Sequence, residues 1–198
     1  MKLGSRRGLL RGTAALAFAP ALRAATAPWS EPAIDALRGG GVVAAFRHAN
    51  APGTFDPPGF KLDDCSTQRN LDAAGRDQAR RLGEQFRQLG LRPAVVRSSP
   101  WCRCLDTARL AFGDGVQAWP PLRSTRAGDA DEAQQLRAMR DAMAQVGQAD
   151  TGEFEVWVSH QFTLGALAGA SLASGAGLLL RADGAGGVAI VTALPADF

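Results

Sequence analysis

The chain of 198 residues lacks an apolar run long enough to cross a membrane, since the stretch from Thr13 to Leu22 is about half of the roughly twenty residues a spanning helix needs. It also lacks internal repeats, charge blocks and long low-complexity runs between residues 30 and 198, so neither a repeat array nor a charged tail is expected. Cysteine is scarce, at three residues, Cys65, Cys102 and Cys104; a Cys-x-Cys pair with one distant cysteine does not have zinc-site spacing. Histidine is scarcer still: His48 and His160 are the only two.

What is present begins with the layout of an export signal. Lys2, Arg6, Arg7 and Arg11 precede the apolar run, and the small residues Ala24 to Ala27 follow it. Ser5-Arg6-Arg7-Gly8-Leu9-Leu10-Arg11 resembles the twin-arginine signal, an address rather than an anchor. We expect residues 1–24 to be cleaved, the product to be periplasmic or secreted without a stable membrane anchor, and residues 30–198 to form one domain, a size sufficient for a full core. Cleavage removes Lys2, Arg6, Arg7, Arg11 and Arg23 and no acid, turning a net charge of +3 into −2. The basic pI therefore does not argue for nucleic acid. In an oxidising compartment a cysteine pair is expected to form a disulfide; Cys102 and Cys104 are too close in sequence, and Cys65 with Cys102 is the pairing we expect.

Gly41–Phe46, Pro93–Ser98 and Phe154–Ser159 read as short buried strands, the first ending at Arg47-His48 and the third at His160. Asp72 is placed to cap a helix with Ala79, Leu82, Phe86 and Leu89 on one face and Gly90 as its stop. Pro100–Phe112, Ala130–Val146 and Gln161–Leu172 also read as helices, and Gly177–Ala182 with Gly187–Leu194 as two strands joined by a turn. Ala51–Phe60 (APGTFDPPGF) reads as a loop at the rim of a site. This alternation predicts a three-layer α/β domain, a mostly parallel sheet with helices on both faces. Ligands bind such sheets outside the carboxyl ends of the strands.

Three strand-like runs end in polar residues that would share that crevice. His48 and His160 stand at two ends, Arg47 beside the first, and Arg103 one helical turn past Pro100. Two guanidiniums and two imidazoles suit a phosphate dianion, which arginine pairs bidentately. The positive surroundings are expected to lower the imidazole pKa and keep His48 nucleophilic. The Asn50 side chain would either donate to phosphate or make an ordinary loop-start hydrogen bond.

At these residues the sequence resembles the histidine phosphatase, or phosphoglycerate-mutase-like, superfamily. Arg47-His48-Ala49 is similar to the family's Arg-His-Gly, and Leu71-Asp-Ala-Ala-Gly75-Arg-Asp-Gln78-Ala79 to its Leu-Thr-x-x-Gly-x-x-Gln-Ala. Ser98-Ser99-Pro100-Trp101-Cys102-Arg103, running on to Thr107-Ala108, is similar to the segment that supplies its second phosphate-binding arginine. Val158-Ser159-His160 is the fourth element. The resemblance implies phosphoryl transfer to His48, with Arg47, Arg103 and His160 holding the phosphoryl oxygens of a small phosphorylated substrate and no metal or cofactor. Two departures stand out. Ala49 replaces glycine, which is harmless only if φ there is negative. No glutamate stands clearly between Arg103 and His160 as proton donor; by order the candidates are Asp129, Asp131 and Glu132, which read equally well as a solvated helix start. Gln161 occupies the place after the second histidine where other members carry an acid. A phosphomutase and an inactive phosphate-binding relative are the alternatives to a phosphatase.

Overall fold

A computed structural model describes Met1 and residues 29–124, 131–148 and 152–196. The expected signal, residues 1–24, lies outside the described residues except for Met1.

Six strands form one sheet: β1 (Val42–Arg47), β2 (Val95–Ser98), β3 (Gln117–Ala118), β4 (Phe154–Ser159), β5 (Gly177–Ala182) and β6 (Val188–Leu194), in the order β3-β2-β4-β1-β5-β6. The pairs linking β3, β2, β4 and β1 are parallel, while β5 and β6 run antiparallel at the other side. β1 and β4 are apolar almost throughout because both of their faces are covered. On one face lie α1 (Glu31–Gly39), α2 (Ala73–Gln88) and α3 (Cys102–Phe112), whose Leu37, Phe86 and Ala108 pack on Ala44, Phe46 and Val156. On the other lie α4 (Glu132–Gln148) and α5 (Gln161–Ala168), whose Met139, Met143 and Leu164 pack on Val43, Ala45 and Trp157. Alternate residues of one strand thus feed two separate cores, giving the three layers that the alternation of elements implies.

Some boundaries differ from the sequence reading. α5 ends at Ala168 rather than Leu172 because Gly169 takes a left-handed conformation (φ 70°) and its N–H closes on Gly165 O. α1, whose Ala33, Ile34 and Leu37 are buried, was not expected, since its apolar stripe is only two turns long. The Asp72 cap forms as expected: its Oδ1 accepts from Gly75 N at 2.7 Å. Gly75 is required for another reason. A Cβ there would collide with the backbone of Asn50, so its absence lets α2 lie against the segment leaving β1.

Candidate active site

Strand register builds the centre. β1 and β4 pair in parallel with Arg47 opposite Ser159, so the next residues, His48 and His160, leave the sheet side by side. Their rings stand 5.6 Å apart, edge to face. β2 joins β4 with Ser98 opposite Val158, which brings Ser99 alongside. The backbone of His48 is held from both sides, its N–H donating to Ser159 O at 2.9 Å and its carbonyl accepting from Gly175 N at 3.0 Å.

His48 is 2% exposed, and its Nδ1 lies 2.7 Å from the Ala49 carbonyl. A carbonyl only accepts, so Nδ1 carries the proton and Nε2 keeps its lone pair. Its pKa is lowered to about 3, first by burial and then by Arg103, Arg69 and Arg47, against a raising effect of the Ala49 hydrogen bond. The sequence reading attributed this lowering to the cations; burial is the larger cause. His160 is also held well below the ordinary histidine range, by burial first and then Arg103. Arg103 Nη2 lies 3.3 Å from its Nδ1 and Ser99 Oγ 2.8 Å from its Nε2. Because guanidinium only donates, Nδ1 accepts and Nε2–H donates to the serine.

The pocket around these rings has a volume of about 380 Å³. Three arginines line it: Arg47 from β1, Arg103 from α3, and Arg69 from the loop between β1 and α2. Each spends part of its guanidinium on the protein. Arg47 Nη1 donates to Leu172 O (2.8 Å), Arg69 Nη1 to Ala51 O, and Arg103 Nη1 to Asp56 Oδ1 (2.8 Å). In all three the Nε–H is buried and has no hydrogen-bond partner among the described residues. Asp56 is the one carboxylate among the described lining residues; besides Arg103 it accepts from Trp101 Nε1 (3.1 Å) and Arg69 N (3.0 Å). Three guanidiniums against one carboxylate leave two net positive charges around two neutral rings, which matches a dianion.

Comparison with known proteins agrees with this geometry. Residues 64–160 match the family described as Histidine phosphatase superfamily (branch 1). That stretch carries the pattern of this superfamily. The stretch matched includes Arg69, Arg103 and His160, and the sheet register adds Arg47 and His48 to them. The protein histidine phosphatase SixA complexed with tungstate superposes with a TM-score of 0.56 at 16% identity, over 78% of this chain and 97% of that one. A phosphoserine phosphatase from Entamoeba histolytica in complex with 3-phosphoglyceric acid gives 0.56 at 14% identity, over 78% and 96%. The alpha-ribazole phosphatase from Shigella flexneri gives 0.55 at 15%, over 79% and 98%. No curated protein sequence matches the chain.

Measured against the superfamily pattern, the departure at Ala49 is accommodated: no described residue other than glycine has positive φ, and Ala49 N donates to Thr107 Oγ1 at 3.0 Å. Asn50 is not a pocket residue. Its amide donates to Asp72 Oδ2 at 2.8 Å and its N–H to Gln78 Oε1 at 3.0 Å, so of the two roles open to it the local one holds, and the proposed contact with substrate is corrected. Asp129 lies outside the described residues. Asp131 is ion-paired with Arg123 on the way into α4, and Glu132 lines a neighbouring cleft with Gln161 and Phe162 rather than the arginine pocket. Gln161 lines the arginine pocket, its side chain donating to Ser171 Oγ. Arg69 and Asp56 are the residues that sequence reasoning missed. Both sit in the stretch of loop read only as a rim or left unread, 22 and 9 residues from Arg47, and loop residues carry no periodicity from which to place them.

The expected disulfide is present. Cys65, in a single 3₁₀ turn at Cys65–Thr67, joins Cys102, the first residue of α3, with Cα atoms 5.7 Å apart. Cys104 is a free buried thiol, pushed up to about 12 by burial, and is therefore not a nucleophile.

Proposed function

We propose that the protein is an exported phosphatase that hydrolyses phosphomonoesters through a phosphohistidine on His48. The support that weighs most is that the guanidiniums of Arg47, Arg69 and Arg103 line one pocket together with the neutral imidazole of His48. Cations gathered around one pocket repel one another, and a phosphate dianion would balance the two charges that Asp56 leaves over. The Cys65–Cys102 bridge supports export, because such bonds persist in oxidising compartments.

In this reading the Nε2 lone pair of His48 attacks phosphorus, the bond from phosphorus to the leaving oxygen breaks, and the phosphoryl group remains on Nε2 while the arginines hold its three outer oxygens. Asp56 fixes the guanidinium of Arg103, so that the charge is in place before the reaction begins. A dianion in the pocket favours protonation of His160, whose Nδ1 would then donate to a phosphoryl oxygen instead of accepting from Arg103. Water next attacks phosphorus, the N–P bond breaks, and inorganic phosphate leaves with the imidazole restored.

Phosphate release from p-nitrophenyl phosphate tests the proposal. The wild-type chain is expected to release nitrophenolate and His48→Ala to lose turnover by about a thousandfold or more. Equal rates in the two would refute the mechanism, and a folded wild type that binds phosphate without any release would indicate a binding protein instead.

A further inference from the structure

The mouth of the arginine pocket is aromatic. Phe55 and Phe162 line it and are 63% and 54% exposed, two of the few large apolar side chains that the described surface leaves open. Phe60 and Trp101 line it too, with ring centroids 5.9 Å apart, and Trp101 stands edge to face against His160 at 5.4 Å. These rings come from three separate segments: the loop after β1, the turn before α3 and the first turn of α5. They converge only at this opening. Exposed apolar side chains gathered at one concave spot mark a binding surface, whereas single ones scattered over a protein do not.

The second observation concerns the proton that a leaving oxygen needs. Among the described residues that line the pocket the one carboxylate is Asp56, and it accepts hydrogen bonds from Arg103, Trp101 and the Arg69 backbone. A carboxylate that already accepts three donors, one of them a cation, has no proton to give. Gln161, which follows His160 into the pocket, has none either. None of the described lining residues thus brings a carboxylic proton to the leaving oxygen, and a leaving group that departs without one must be a stable anion. A phenolate, whose acid has a pKa of about 10, qualifies; an alkoxide, close to water at about 16, does not.

Resting on the phosphatase reading above, we propose that the substrates are phosphate monoesters of phenols, with the aromatic leaving group seated against Phe55 and Phe162 while the phosphate sits among the arginines. The ring supplies apolar contact at the mouth and the stable oxyanion that the reaction needs. A free phenyl phosphate and a phosphorylated tyrosine side chain share this chemistry.

Steady-state kinetics of the full chain on phenyl phosphate, a tyrosine-phosphorylated peptide and glycerol 3-phosphate test the inference, with Phe55→Ala and Phe162→Ala beside the wild type. We expect kcat/KM for phenyl phosphate to exceed that for glycerol 3-phosphate by about a hundredfold or more. Each Phe→Ala change should raise KM for phenyl phosphate about three- to tenfold, and inhibition by inorganic phosphate, which has no leaving group, should stay within about twofold. Preference for the peptide over phenyl phosphate would identify a protein source for the phenol, and the reverse a small molecule. Comparable kcat/KM on glycerol 3-phosphate, or Phe variants with unchanged KM on phenyl phosphate, overturns the inference and leaves the phosphatase reading standing. Absence of release from all three substrates overturns both.

Discussion

Arg47, Arg69 and Arg103 repel one another, and part of the lowering of Arg47 and Arg69 comes from Arg103 after burial. An anion relieves that repulsion, so Arg69 should matter more to binding than to folding. Arg69→Ala is expected to weaken inhibition by inorganic phosphate and to raise KM about ten- to a hundredfold, the loss of one charge-assisted hydrogen bond, with little change in the thermal midpoint. A large fall in the midpoint with phosphate affinity intact would make Arg69 a structural residue instead. The histidines have the opposite balance. His48 titrates near 3 in the folded protein against an ordinary 6.5, and His160 also lies far below 6.5. Below about pH 6.5 the unfolded chain therefore binds more protons than the folded one, and stability falls as the pH falls. We expect the melting temperature to drop between about pH 7 and about pH 5, and His48→Asn to flatten that drop. Parallel curves for the two proteins would contradict the buried neutral state of His48. At this scale the strand-end residues Arg47, His48 and His160 were legible because each follows an apolar run. Asn50 was legible only as a choice between two roles, which its contact with Asp72 decides.

The loop between β1 and α2 carries Phe55, Asp56, Phe60 and Arg69, and two devices hold it. Cys65–Cys102 ties it to the start of α3, and Gln68, buried beside that bond, accepts from Cys102 N at 3.0 Å while donating to Lys61 O and Leu62 O. The bridge thereby joins the segment bearing Arg69 to the helix bearing Arg103. Its loss should affect both stability and the site. With a sequence separation of 37, a chain-entropy argument gives about 2–4 kcal/mol of stabilisation. Cys65→Ser with Cys102→Ser is expected to lower the denaturation midpoint in urea by a corresponding amount and, while still folded, to raise KM for aryl phosphates severalfold. An unchanged KM would show that Asp56 and Gln68 suffice to place the loop. The capped helix at Asp72 and the strands around it were readable from local chemistry, but this loop was not: its order comes from contacts with α3, more than thirty residues away.

For the molecule as a whole, the charge pattern before Thr13 supports export, and export predicts processing. Expressed in a bacterium with a twin-arginine pathway, the full chain should yield a periplasmic product lacking about the first 24 residues, and Arg6→Lys with Arg7→Lys should leave an uncleaved precursor in the cytoplasm. A processed periplasmic product from that double variant would argue for a different route. The α/β class, the two histidines and the four motifs that mark the superfamily follow from the sequence alone, because apolar alternation, caps and short motifs act over a few residues and leave a local trace. The meeting of His48 with His160, the third arginine, the clamp of Asp56 and the aromatic mouth were decided by tertiary structure. They depend on strand register, on the disulfide and on the packing of a loop against a distant helix, which bring together residues up to 112 positions apart; no local pattern encodes such distances.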